Sequence, residues 1–229
     1  MRGRPYPGAG LPVSLAGWLG SRWRRGLRAG SGELEQPARW VVVDVETSGL
    51  DANLDVLLSI GAIAVQGDRI VVADSLELGV RPERTSSRPN ILVHGIGEQA
   101  QREGVAPGEA CDRFLAYLGR SPLVAFHAGF DRGFLQRALR DHRHTTLRNP
   151  WIDLAALAPA LHPRAPARSL DAWLAHFQID VEQRHQAISD ALASAMLFQR
   201  LLAGLPASER HLAALQRLCD QGRWLGGQA

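Results

Sequence analysis

The run Trp40-Val-Val-Val-Asp-Val-Glu46 constrains this chain more than any other feature. Valine is β-branched and stiff at χ1, which favours extended backbone. A nearly continuous apolar run of this length reads as a central strand covered on both faces, so the chain needs a sheet with packed layers above and below it. The strand closes on two acids, Asp44 and Glu46, and the two-residue period of a strand puts both carboxylates on one face. A solvated strand end accounts for an Asp-x-Glu pair as readily as a site does. What sets this pair apart is its place, because two acids at the end of a buried strand repel each other unless a cation or a proton compensates them.

Residues 57–65 and 70–78 read as two further strands, joined as a hairpin through Gln66-Gly67-Asp68-Arg69. A helix is predicted from Pro107, a good first helical residue, through Cys111, Phe114 and Leu118 to a stop at Gly119. Residues 123–126 and 151–154 supply two more short strands, with a helix over 133–140 between them. Helices are expected over 153–160, 169–177, 187–203 and 208–220, the last starting at the capping residue Ser208. A hairpin first, then strands alternating with helices, predicts an α/β fold with a mixed five-stranded sheet flanked by helices.

The 229 residues fit one domain with an appendage, and charge separates the two. The formal charge is +3, from 26 basic residues, all arginine, against 23 acids. Arg2, Arg4, Arg22, Arg24, Arg25 and Arg28 lie in residues 1–32 without a single acid, so the remainder is net acidic. An overall basic balance suggests a nucleic-acid-binding surface, but here it belongs to the tail. In that tail Leu11, Leu15, Trp18, Leu19, Trp23 and Leu27 fall on one helical stripe with Arg24, Arg25 and Arg28 facing away, a basic amphipathic pattern weakened by Gly17, Gly20 and Gly26. Such a stripe packs on its own domain, stays unfolded, or docks to a membrane, nucleic acid or partner. A Gly-, Ser- and Pro-containing linker follows, giving expected segments of 1–38 (tail and linker), 39–204 (main domain) and 205–229 (helical extension). Cys111 and Cys219 are too few for a disulfide framework and lack metal-ligand spacing, so the expected setting is the reducing cytoplasm. No transmembrane segment is expected, since no apolar run reaches the roughly 18 residues that would span a bilayer.

Two further acids stand in apolar surroundings at element junctions. Asp131 follows the strand at 123–126, and Asp190 lies in the first turn of an apolar helix, within His185-Gln-Ala-Ile-Ser-Asp190. Taken singly, Asp131 reads equally as a helix cap and Asp190 as an acid favoured by the helix dipole. Five helical residues rotate by about 140°, so His185 is expected in the loop before that helix, free to turn toward the same site. Four acids and a histidine together are harder to explain structurally. Thr47, Ser48, Gly49 and Leu50, directly after the acid pair, form a small turn that can bring backbone amides to a ligand.

Asp44-Val-Glu46-Thr-Ser-Gly49, Phe130-Asp131 and His185-Gln-Ala-Ile-Ser-Asp190 resemble the three motifs of the DEDD exonuclease superfamily. The histidine in the third is similar to the DEDDh branch, which includes the proofreading epsilon-type subunit of bacterial replicative polymerases; a tyrosine branch would carry Tyr where this chain has Gln186. The resemblance runs from about Trp40 to Leu202 and takes in Ile60-Gly61-Ala62 and His94-Gly95-Ile96. One departure is that Phe126-His127 stands where many relatives have His-Asn. The resemblance implies a ribonuclease-H-like fold and a 3′→5′ exonuclease acting on nucleic acid with a free 3′ end.

It also implies a two-metal mechanism with Mg²⁺ or Mn²⁺. Asp44 would bridge both ions, Glu46 and Asp190 would complete the first, and Asp131 would hold the second. Four carboxylates repel a phosphodiester, whereas two divalent ions cancel that charge and activate water. His185 is suited to take the proton from the attacking water, an unperturbed imidazole titrating near pH 6.5. By the same resemblance, Ser48 and Gly49 approach the terminal sugar and Leu50 wedges against the terminal base; on its own, Leu50 reads as readily as a loop residue tucked onto the core. His94 is either structural or a neighbour of the site. A DNA polymerase catalytic subunit is the candidate protein partner. The alternatives are an RNA-trimming exoribonuclease of the same family and a non-catalytic nucleic-acid-binding module on this fold.

Overall fold

The computed structural model describes residues 39–82, 98–182 and 184–226. The basic tail with its amphipathic stripe, and the segment containing His94, lie outside these described residues.

Five strands form one mixed sheet in the order β3-β2-β1-β4-β5: β1 (Trp40–Thr47), β2 (Leu57–Gln66), β3 (Arg69–Gly79), β4 (Leu123–Ala125) and β5 (Trp151–Asp153). β2 runs antiparallel to both β1 and β3, while β4 is parallel to β1 and β5 to β4. The valine run is the central strand, as its composition predicts. Trp40 and Val42 enter one core, Val41, Val43 and Val45 the other, and all five are buried. Fully burying a side chain of this size contributes about 1.5–3 kcal/mol, so the alternation commits both faces of β1 to a packed layer. The hairpin between β2 and β3 turns at Gly67, whose φ of 61° is one that glycine adopts without a Cβ penalty.

Around the sheet lie α1 (Glu98–Glu103), α2 (Pro107–Leu118), α3 (Ala128–Arg143), α4 (Leu154–Leu161), α5 (Leu170–His176), α6 (Ala187–Ala203) and α7 (Leu212–Gly226). One face is covered by α2 and α3 through Ala110, Phe114, Phe134, Leu135 and Leu139. The other carries α4 to α7 through Leu157, Trp173, Phe198 and Leu215. Trp40 meets Phe198 edge to face, with ring centroids 5.4 Å apart. Helix α2 starts at Pro107 and stops at Gly119 as expected.

Two helices depart from the sequence reading at both ends. Helix α3 runs from Ala128 to Arg143 rather than over 133–140, because burial of Ala128, Phe134, Leu135 and Leu139 outweighs the low helix propensity of Gly129 and Gly133. The chain enters it through His127, held in the left-handed region at φ 60°. The last helix starts at Leu212, not at Ser208, which sits in a short 3-10 turn, Ala207–Glu209. His211 takes the capping role, its Nδ1 accepting from the Ala214 amide at 3.3 Å. Helix α7 buries Leu215 and Cys219, and its Gly222 lies against the Ala156 backbone with no room for a side chain.

Candidate active site

The parallel strands β1, β4 and β5 all end on one edge of the sheet, and the acids gather there. Asp44 pairs across the ladder with Gly61 and Glu46 with Ser59, so both side chains leave the strand on the same side. Helix α6 comes down over β2 at Gly61, and its first turn delivers Asp190. Ligand oxygens of Asp44, Glu46 and Asp190 lie within 4.8 Å of one another, a spacing that could hold a metal ion. The donor set is all carboxylate oxygen, which suits a hard cation such as Mg²⁺ or Mn²⁺.

Asp131 is outside that trio. Its position in the fourth residue of α3 rules out the capping role that sequence leaves open, and its Oδ1 instead accepts the Val45 amide at 3.1 Å. That bond crosses from α3 to the stretch of β1 between the two acids. Asp153, at the end of β5, accepts from the His127 amide at 3.1 Å and from the Ala155 amide at 3.0 Å, joining the turns that open α3 and α4. It was not singled out by the sequence reading, although it carries the same signal as Asp44, an acid closing an apolar strand.

The electrostatics are those of a cluster short of positive charge. Burial, with Asp131, Asp190 and Glu46 around it, pushes the Asp44 carboxyl well above the usual range. Burial and then Asp190 raise Glu46 to about 7. Asp131 is raised by burial against the opposing pull of its backbone hydrogen bonds, and Asp190 by burial against the pull of Arg184. Each shift says that the ionised form is disfavoured in the metal-free protein.

His185 sits in the loop before α6, as its spacing from Asp190 requires, with an exposed side chain and a left-handed φ of 64°. Non-glycine residues held in that region are uncommon and concentrate at functional sites. Its amide donates to Asp190 Oδ2 at 3.2 Å. The imidazole is not part of the 4.8 Å group. Arg184, which the sequence reading missed, donates Nη1 to Asp190 Oδ1 and Nε to Asp171 Oδ1, the latter at 2.8 Å.

The turn after β1 is internally bonded. Thr47 Oγ1 donates to the Gly49 carbonyl at 2.6 Å, Ser48 Oγ donates to Asp55 at 3.1 Å and accepts from the Val56 amide at 3.0 Å. A Cβ at Gly49 would overlap the Asp55 carboxylate. Arg137 of α3 ties the turn down through the Ala52 and Asp55 carbonyls at 2.9 and 3.1 Å. On this fixed base Leu50 is 87% exposed, which removes the reading of Leu50 as tucked onto the core.

The chain matches the model of the exonuclease family (RNase T type) over residues 41–198. It is 31% identical over 170 residues to the "DNA polymerase III PolC-type" of Oceanobacillus iheyensis and 32% identical over 165 residues to that of Thermotoga maritima. These alignments take in 74% and 72% of this chain but only 12% of each polymerase, so the chain spans a small part of those relatives. Among solved structures it is similar to E. coli exonuclease I in complex with a dT13 oligonucleotide, with a TM-score of 0.62 and 17% identity over 72% of this chain and 41% of the other. It is also similar to exonuclease X in complex with 5′ overhanging duplex DNA, with a TM-score of 0.62 and 24% identity over 79% of this chain and 99% of the other. At such identities the likeness is one of fold, the helix-covered mixed sheet of ribonuclease-H-like exonucleases.

Proposed function

The chain belongs to the exonuclease family, and on that premise we propose that it is a metal-dependent 3′→5′ exonuclease that releases nucleoside 5′-monophosphates from DNA. The observation that carries the proposal is the convergence of Asp44, Glu46 and Asp190 within 4.8 Å at the end of the central strand. Asp44, Glu46 and Asp190 would hold one Mg²⁺ or Mn²⁺, and Asp44 with Asp131 a second. Bound there, the ions would neutralise the acids and supply Lewis acidity at the scissile phosphodiester.

The remaining work falls to the chain itself. His185 accepts the proton of the water that attacks phosphorus; the new P–O bond forms as the bond to the 3′ oxygen breaks, and that oxygen takes a proton from solvent. The fixed turn at Thr47, Ser48 and Gly49 meets the terminal sugar through its backbone. Leu50 lies against the face of the terminal base, a contact that suits an enzyme indifferent to sequence because every base offers an apolar face. His127 occupies a position that requires left-handed backbone, a conformation in which asparagine and histidine are both enriched. It presents an exposed imidazole beside the start of α3.

DNA as substrate is supported by the PolC-type relatives and by the DNA complexes among the structural neighbours. The same relatives make a DNA polymerase catalytic subunit the candidate partner, with residues 39–204 as the catalytic domain, and the tail and the outward face of the last helix, whose inner face is packed on that domain, as the candidate docking segments. The reducing cytoplasm is the proposed setting, where Cys111 and Cys219, both free and buried, stay thiols. Among the described residues no helix is long and apolar enough to cross a membrane. A degradation panel of single-stranded DNA, duplex DNA and RNA with the full chain tests the substrate: faster loss of DNA is expected, and faster loss of RNA would favour the RNA-trimming alternative.

A further inference from the structure

Arg184 is joined to two carboxylates of opposite character. Asp190 belongs to the carboxylate cluster and has a side chain only 11% exposed, whereas Asp171, in the first turn of α5, has one that is 69% exposed. Between them the Arg184 side chain is 22% exposed, with Nη1 on the inner acid and Nε on the outer one. The His185 amide occupies the other oxygen of Asp190, so both oxygens of this carboxylate are engaged. Among the described residues Arg184 is the arginine paired with the cluster, and its charge also works against the upward shifts of Asp44 and Glu46.

Resting on the reading of this cluster as a metal centre, we propose that Arg184 is a built-in counter-ion that a divalent cation must displace from Asp190, so that this residue sets the cation concentration at which the centre loads. A guanidinium in contact with Asp190 and a divalent ion on the same carboxylate repel at short range in a site with little water to screen them. In the metal-free protein Arg184 supplies part of the positive charge that the buried acids lack. The loaded protein does not need it, and Asp171 gives the guanidinium an outer partner to retain when it leaves the inner one. An ordinary structural ion pair that merely fixes the loop before α6 would have the opposite signature: its loss would leave Asp190 poorly placed and weaken metal binding.

The test is a Mn²⁺ titration of the full chain by calorimetry, with free Mn²⁺ followed by electron paramagnetic resonance, for the unaltered protein, Arg184→Gln and Arg184→Lys. The proposal expects Arg184→Gln to bind Mn²⁺ about tenfold more tightly, as removal of a close like charge predicts. It expects Arg184→Lys to fall between the two, since an ammonium keeps the charge without the two-sided grip. Should metal-free Arg184→Gln fail to fold, Arg184→Lys decides, tighter binding than the unaltered protein supporting the proposal. Unchanged or weaker Mn²⁺ binding in the variants, with measurable binding by the unaltered protein, overturns the role of Arg184 and leaves the metal centre standing. Absence of Mn²⁺ binding in all three proteins overturns the metal centre and this proposal with it.

Discussion

Gly61 lies directly beneath the backbone of Ala187, so close that a Cβ at position 61 would overlap the Ala187 carbonyl. Because Gly61 is also the ladder partner of Asp44, this one missing side chain sets how near the first turn of α6, and with it Asp190, comes to β1. Gly61→Ala is therefore expected to lift the start of α6 and separate Asp190 from Asp44. Overpacking of this kind costs about 1–3 kcal/mol. Thermal melting with and without Mn²⁺ checks it: a lower melting temperature and weaker Mn²⁺ binding are expected, and a variant indistinguishable in both would remove Gly61 from this role.

Metal and pH should act on stability through the same acids. Glu46 is raised to about 7, and Asp44, Asp131 and Asp190 are also raised, all by burial first. A carboxyl whose pKa is higher folded than unfolded holds its proton better in the native state, so the metal-free protein loses stability as pH rises from the unfolded carboxylate range, near 4, through about 7. A bound divalent ion reverses that loss. Melting curves from pH 5 to 8.5 should show metal-free stability falling with pH and the gain from Mg²⁺ or Mn²⁺ growing with pH. A metal gain that shrinks as pH rises would contradict the assignment.

The bond from Val45 to Asp131 separates the structural from the chemical part of that residue. Asp131→Asn keeps an acceptor for the Val45 amide and should fold as well as the unaltered protein, while losing most of its nuclease activity. Asp131→Ala leaves a buried amide unpaired, which costs about 1–3 kcal/mol. Comparing the melting temperatures of the two variants measures the difference, and equal values would mean that the bond contributes nothing.

His185→Ala should lower turnover by roughly 10²–10⁴ while Mn²⁺ binding persists, the range for removing a general base. His185→Asn should lose as much rate with a smaller loss of stability, because asparagine tolerates the left-handed backbone that this position requires. Single-turnover rates beside Mn²⁺ titrations decide it; normal turnover in either variant would leave His185 without the proton-transfer role.

Much of this organisation can be read along the chain. The valine run, the glycine turn at Gly67 and the helix from Pro107 to Gly119 are local signals of burial, φ and capping, and the fold uses them as they stand. The placement of His185 in a loop follows from helical rotation together with the expectation that it turns toward the site of Asp190. What escaped the sequence depends on pairing across the fold. Arg184 lies outside any periodic element, and its meaning comes from Asp171 and Asp190, which arrive from two different helices. The last helix is capped by a local bond to His211 that the preference for a Ser at that position did not suggest, and the early start of α3 follows burial against local propensity.

On the proposed function, the acids gathered at the end of β1 cleave nucleotides from a 3′ end. The most direct measurement follows two copies of one single-stranded DNA oligonucleotide, labelled at the 5′ end or within the 3′-terminal nucleotide, in Mg²⁺ and in Mn²⁺, with Asp44→Asn as the control. The 3′ label should appear at once as nucleoside 5′-monophosphate, while the 5′ label stays on a ladder shortening from the other end, and Asp44→Asn should do neither. Release of the 5′ label first, or no degradation by folded protein in either metal, would overturn the assignment of these acids as a 3′→5′ exonuclease centre.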